Sequence, residues 1–201
     1  LPTAYISIGS NLGNRLEYLR EAVKKINQAK EVRICKASSV YETQPVEYGI
    51  KGQGSKVKQQ PWFLNMVLEL RTTLAPLSLL ELLSSIESQM GRTRPDGSSR
   101  WNKRGSQARR YEPRNIDLDI LLYDDLAMDS DKLTLPHPRM HERKFVLVPL
   151  AEIAPKVIHP LLKKSAERLL NELSTDFEKD EFSARDGSTS GEDIRLYSKA
   201  L

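Results

Sequence analysis

Two carboxylates separated by one residue, Asp117 and Asp119, are the sharpest chemical feature of this 201-residue chain. They sit in NIDLDILLY, residues 115–123, the strongest strand signal in the sequence. Residues i and i+2 of a strand share a face about 6–7 Å apart. Both acids therefore point one way, while Ile116, Leu118 and Ile120 point to a core. Two like charges at that spacing repel unless a cation lies between them. One or two Mg²⁺ ions fit, because Mg²⁺ takes a pair of carboxylates and completes its shell with water and phosphate oxygens. The plainer alternative is a solvated sheet face.

Arg109, Arg110 and Arg114 stand directly upstream. A basic loop taken alone is ordinarily just solvated. Placed before paired carboxylates, it suits phosphoryl transfer, in which cations clamp the phosphates and metals bridge them. There is no G-x-x-x-x-G-K-[ST] loop, and Gly9 and Gly13 of GSNLGN predict a tight turn rather than a phosphate cradle. His137 and His141 are separated by Pro138 and Arg139, so a single His on a phosphate fits better than a zinc pair. His159 has the setting of a structural histidine, and Cys35 that of a small buried strand residue. Phe63, Asn65 and Phe145 are core and turn residues by default. Two rings and an amide would equally sandwich a flat heterocycle and bond its edge.

The elements that must position these residues follow from periodicity and punctuation. AYISI predicts a first strand, and Asn14 with Glu17 marks the start of a helix over 14–28. Alternation predicts strands over 32–41 and 65–71, separated by a long mobile loop at 44–61 that contains Pro45, Gly49, Gly52, Gly54 and Pro61. Pro76 opens a second helix and Gly91 stops it. A second long loop holds the basic stretch, and weak strands near 126–128 and 133–135 precede short helices over 142–153 and 165–173. The order strand, helix, strand, strand, helix, strand predicts an α+β fold. Its form is a ferredoxin-like split βαβ antiparallel sheet with helices on one face.

Length and composition fit one domain, taken as 1–174, followed by an acidic extension or linker at 175–201 with disorder-like composition. A single cysteine excludes a disulfide-stapled secreted module and favours a reducing compartment. No apolar run approaches the roughly 18 residues of a membrane span. The expected location is the cytoplasm, or the mitochondrion if an upstream targeting segment has been removed. The net charge of +4 conceals a sharper asymmetry: residues 92–114 hold eight Arg/Lys against two acids, and residues 175–193 seven acids against two bases. The basic block points to a polyanion held at one place.

Several segments together resemble the 6-hydroxymethyl-7,8-dihydropterin pyrophosphokinase family of folate biosynthesis. They are AYISIGSNLGNR, SSVYETQPV, WFLNMVLEL, IESQMGR, PRNIDLDILLY and LTLPHPRMHERKFVLVPLAEIAP, in the family's order over about residues 4–160. The resemblance implies transfer of the β,γ-pyrophosphate of ATP to the hydroxymethyl oxygen of 6-hydroxymethyl-7,8-dihydropterin, with release of AMP. It implies that Asp117 and Asp119 bind two Mg²⁺ ions. Arg110 and Arg114 would act on the phosphates, and Glu87, Arg92, Arg94, Ile120, Lys132, Thr134, His137 and Arg143 would complete the ATP site. Thr43, Gln44, Val46, Phe63, Asn65 and Phe145 match the pterin pocket.

The departures from the pattern are local. The family commonly shows Arg-Trp-Gly-Pro-Arg before the metal strand, where this chain has Arg110-Tyr111-Glu112-Pro113-Arg114. Residues 95–108 resemble an insertion with its own Arg100-Trp101, and Lys132 replaces an Arg, which leaves a point charge in place of a planar fork. The acidic tail is consistent with a linker to a further folate enzyme. An RNA-binding module is the competing class, since a split βαβ sheet with a basic loop can stack bases. Carboxylates where phosphates would lie argue against it, and no nucleic acid or membrane partner is expected. Nucleotidyl transfer is a third option, and it would release pyrophosphate instead of AMP.

Overall fold

The computed structural model describes residues 1–45, 61–91, 115–183 and 193–199. Strand β1 (Thr3–Ser10) leads into helix α1 (Arg15–Gln28), whose N-cap Asn14 accepts a hydrogen bond from the Glu17 amide. Strands β2 (Val32–Ala37), β3 (Val40–Thr43) and β4 (Phe63–Thr72) follow. Helix α2 (Pro76–Gln89) begins at Pro76 and is stopped by Gly91 at φ +82°, a backbone state that costs glycine nothing. Strand β5 (Asp117–Tyr123) precedes a small hairpin of β6 (Met128–Asp129) and β7 (Thr134–Leu135). One 3₁₀ turn at Met140–Glu142 leads to α3 (Lys144–Ile153), α4 (Ala166–Ser183) and β8 (Ile194–Ser198).

The main sheet runs β5-β1-β4-β3-β8, with β2 also paired to β4. Every pairing is antiparallel, and β4 lies between β1 and the β2/β3 segment. That is the split βαβ arrangement, and the α+β, ferredoxin-like expectation holds. The expectation of helices on one face does not. Ala4, Ile6, Ile8, Leu64, Met66, Leu68, Leu118 and Ile120 point to α1 and α2, where they meet Leu19, Ile26, Leu79 and Leu83. On the opposite face Tyr5, Val67 and Leu121 pack against Val146 and Leu150 of α3. The apolar side of α3 thus covers part of the second face.

Three further expectations change. The strand over 32–41 is broken, because the Ser38 hydroxyl accepts the Val67 amide and Glu152 accepts both the amide and hydroxyl of Ser39. Cys35 is exposed, not buried. The polar tail is not simply a disordered segment, since α4 continues to Ser183 and β8 pairs with β3. The two long loops fall mostly at 46–60 and 92–114, outside the described residues.

Candidate active site

Register brings the candidate residues onto the second face. Gly9 pairs with Asp117 on one side and with Asn65 on the other, and Asn65 pairs with Tyr41. Directly opposed residues share a face, so Asp117, Gly9, Asn65 and Tyr41 form one row across four strands. The next row holds Asp119, Ser7 and Val67. Thr43 pairs with Phe63, two residues from Asn65, and joins the same face. Asp117 and Asp119 are half-buried, whereas Leu118 and Ile120 are buried beneath them. The alternation of NIDLDI therefore does what its spacing predicts.

Gly9 is the floor between the carboxylates and the amide. A Cβ there would lie 2.9 Å from Asn65 Oδ1. Asn65 is 4% exposed, and its Nδ2 donates to Thr43 Oγ1 at 2.7 Å, which orients the amide edge. Tyr41 donates to Glu152 Oε2, and Tyr5 donates to Glu69. Burial first and the neighbouring carboxylate second push both phenols up, that of Tyr5 to about 12. These tyrosines therefore remain neutral donors in ordinary buffers.

β5 is held from behind and from above. Glu87, buried at the end of α2, accepts the Leu118 amide through Oε1 at 2.7 Å. A β-bulge near Leu121 shifts the register against β1, and the Leu121 carbonyl accepts the His137 amide at 2.9 Å. The segment carrying His137 is thereby tied to β5 two residues beyond Asp119. His137 is buried, and its Nδ1 accepts the Arg139 amide. Arg143 occupies the N-cap position of α3 without a side-chain capping bond, and its guanidinium carbon lies 5.5 Å from the centroid of the half-buried Phe145 ring.

Thr43, Phe63, Asn65, Asp117 and Asp119 thus come to one sheet face, with Phe145 in the first turn of the helix packed on that face and Arg143 just before it. Thr134 donates to Asp129 across the small hairpin, and Lys132 is exposed at that hairpin's tip. Gln44 follows β3 and donates to Asp193. Glu87 and the Ile120 side chain lie on the α2 side of the sheet. Val46, Arg92, Arg94, Arg100, Trp101, Arg110, Tyr111, Glu112 and Arg114 lie outside the described residues. Sequence reasoning missed Gly9 as a site residue. The sequence reading put Gly9 in a tight turn, whereas β1 runs on to Ser10 and places it inside the strand, where a glycine marks close approach of a neighbour.

Among the described residues no group of three or more His, Cys, Asp and Glu converges. Two hard carboxylates on one sheet face are a donor set suited to Mg²⁺ when phosphates supply the remaining oxygens. No described helix is long and apolar enough to cross a membrane.

Fold and face together define a ferredoxin-like α+β domain with paired carboxylates on one sheet face. Residues 5–155 match the family model described as 7,8-dihydro-6-hydroxymethylpterin-pyrophosphokinase (HPPK). The chain is 46% identical over 154 residues to the 2-amino-4-hydroxy-6-hydroxymethyldihydropteridine pyrophosphokinase of Bacillus subtilis, covering 77% of this chain and 79% of that protein. It is 35% identical over 170 residues to the Folic acid synthesis protein fol1 of Schizosaccharomyces pombe, where the match covers 85% of this chain but 20% of that protein. A crystal structure of Plasmodium falciparum HPPK-DHPS with pterin and p-hydroxybenzoate superposes with a TM-score of 0.63 at 16% identity, covering 94% of this chain and 46% of that one. The chain belongs to the HPPK family.

Proposed function

We propose that this sheet face is where the chain transfers pyrophosphate from ATP to 6-hydroxymethyl-7,8-dihydropterin. The observation that carries this is the row Asp117–Gly9–Asn65. Asp117 and Asn65 stand two strand spacings apart, about 10 Å, with only a glycine between them. A pterin bonded at its edge by Asn65 and Thr43, between the rings of Phe63 and Phe145, would direct its hydroxymethyl group along that gap toward the carboxylates. The hydroxyl oxygen then forms a bond to the β-phosphorus of ATP. The bond from that phosphorus to the α,β-bridging oxygen breaks, AMP leaves with the oxygen, and the hydroxyl proton passes to solvent.

Asp117 and Asp119 are the proposed Mg²⁺ ligands, for two ions, and magnesium bound there would neutralise phosphate charge. The family motif assigns Arg110 and Arg114 to the phosphates. It assigns Glu87, Arg92, Arg94, Ile120, Lys132, Thr134, His137 and Arg143 to the nucleotide, and Gln44 and Val46 to the pterin. No described side chain is poised as an evident base, which suits a reaction driven by positioning and charge. The catalytic unit is proposed as residues 1–174, with 175–201 as an extension. Fusion to another folate enzyme, as in HPPK-DHPS, is proposed for the wider polypeptide. The cytoplasm is the proposed compartment, where a lone thiol stays reduced.

The test is incubation with Mg-ATP, with and without the pterin, followed by measurement of AMP and pyrophosphate. Pterin-dependent AMP that disappears in Asp117→Ala and Asp119→Ala is expected. Release of pyrophosphate, or AMP that is independent of the pterin, would overturn the assignment.

A further inference from the structure

Strand β8 pairs with the edge of β3, beside the proposed pocket. β8 pairs Arg195 with Glu42 and Ile194 with Thr43. Glu42 pairs in register with Leu64, so its side chain lies on the α1 side, directly behind Thr43 and Phe63. There Arg195 donates through Nε and Nη2 to Glu42 Oε2, and Arg15 Nη1 approaches Glu42 Oε1 at 2.8 Å. Arg15 Nη1 also donates to the Trp62 carbonyl at 2.6 Å. The Arg195 guanidinium carbon lies 4.8 Å from the Trp62 ring centroid, within cation–π range. One residue further on, the Gln44 amide donates to the Asp193 carbonyl at 3.3 Å, and Gln44 Nε2 donates to Asp193 Oδ2 at 2.8 Å.

Two strand ends are therefore held from one short segment. Thr43 and Gln44 are fixed through the β8 ladder and Asp193, and Trp62, which precedes Phe63, is fixed through Arg195. Asp117 and Asp119 are on β5, at the opposite edge of the sheet from β8. We propose that Asp193 and Arg195 are positioning residues that set the pterin affinity of the pocket by aligning the ends of β3 and β4. This proposal rests on the assignment of that pocket to the pterin. Both act through Thr43, Gln44, Glu42 and Trp62, on the side of the sheet away from Asp117 and Asp119.

Arg195 is mostly exposed, and Glu42 keeps Arg15 as a partner when Arg195 is removed. Loss of the arginine thus leaves no buried charge unpaired, and the fold should persist. The experiment measures Kd and KM for the pterin and for Mg-ATP in the full chain and in Arg195→Ala, Arg195→Lys and Asp193→Ala. Arg195→Ala is expected to weaken pterin binding about tenfold, the equivalent of one charge-assisted contact, with Mg-ATP binding unchanged. Arg195→Lys should recover part of the loss, and Asp193→Ala should weaken the pterin alone. Unchanged pterin affinity in both alanine variants, or parallel loss of both ligands, would overturn the proposal. Should Arg195→Ala fail to fold, Asp193→Ala decides. A wild-type chain that binds the pterin but makes no AMP would refute the reaction and leave the affinity comparison to decide. One that binds no pterin overturns both.

Discussion

Gly9 and Asn65 meet so closely that a Cβ on residue 9 would stand 2.9 Å from Asn65 Oδ1. The oxygen belongs to a buried amide already committed through Nδ2 to Thr43, so it has little room to retreat. Gly9→Ala should therefore rotate or displace the amide and not simply fill space. Overpacking of this kind costs about 1–3 kcal/mol. The expected result is a measurable fall in the unfolding midpoint together with weaker pterin binding, while Mg-ATP affinity is largely kept. Equal pterin affinity in the two proteins would show that the amide does not read the substrate.

Much of this face was legible because its signals are local. Alternation in NIDLDI sets the acids apart from Ile116 and Leu118, Asn14 caps α1, and Pro76 and Gly91 bracket α2. What escaped depends on partners distant in sequence. Ser38 breaks a strand because its hydroxyl takes the amide of Val67, and Glu152 takes the two donors of Ser39. β8 is a mostly exposed strand preceded by an acidic stretch, and it exists through backbone pairing with β3. Its IRLYS alternation is too short to mark a strand without that partner. The second helical layer was missed for a related reason: the periodicity of α3 marks an apolar side but does not say which sheet face receives it.

Glu87 tests whether the carboxylate strand must be held from behind. It is 2% exposed, and it takes the Leu118 amide between the two acids. Glu87→Ala leaves that donor unsatisfied and opens a cavity, with an expected cost of about 1–3 kcal/mol for the lost acceptor alone. Glu87→Gln keeps an acceptor oxygen and should retain most of the stability. Denaturant unfolding of the three proteins separates these outcomes. An alanine variant as stable as the glutamine variant would show that the bond is dispensable.

Asp117→Asn and Asp119→Asn keep shape and remove charge. Both side chains are half-buried above Leu118 and Ile120, so the substitutions leave the core beneath them intact. Turnover should fall by about 10²–10³-fold or more, as expected when a principal source of transition-state charge stabilisation is removed. Isothermal titration with Mg-ATP should show weakened binding in each variant. Full activity in either one would remove that residue from the metal site.

Two buried groups make the fold acid-sensitive in separate pH ranges. Burial first, then the charge of His141, hold the His159 imidazole below its ordinary 6.5. The unfolded chain then binds more protons than the native one between those values, so His159 stabilises the fold above 6.5 and loses that contribution as pH falls through its lowered value. For Glu42 burial is the largest single effect and acts upward. The hydrogen bonds and charges of Arg195 and Arg15 together outweigh it and hold the carboxyl below 4.5. Its contribution is present above 4.5 and is lost only at lower pH. Urea midpoints should therefore begin to fall below pH 6.5, with a limiting slope of about 1.4 kcal/mol per pH unit for one proton. His159 Nδ1 accepts the Leu162 amide, an acceptor that asparagine can replace without titrating. His159→Asn should flatten the profile just below pH 6.5, where the lowered imidazole titrates, and leave the steeper acid limb unchanged. A wild-type slope that survives the substitution would place the titrating group elsewhere.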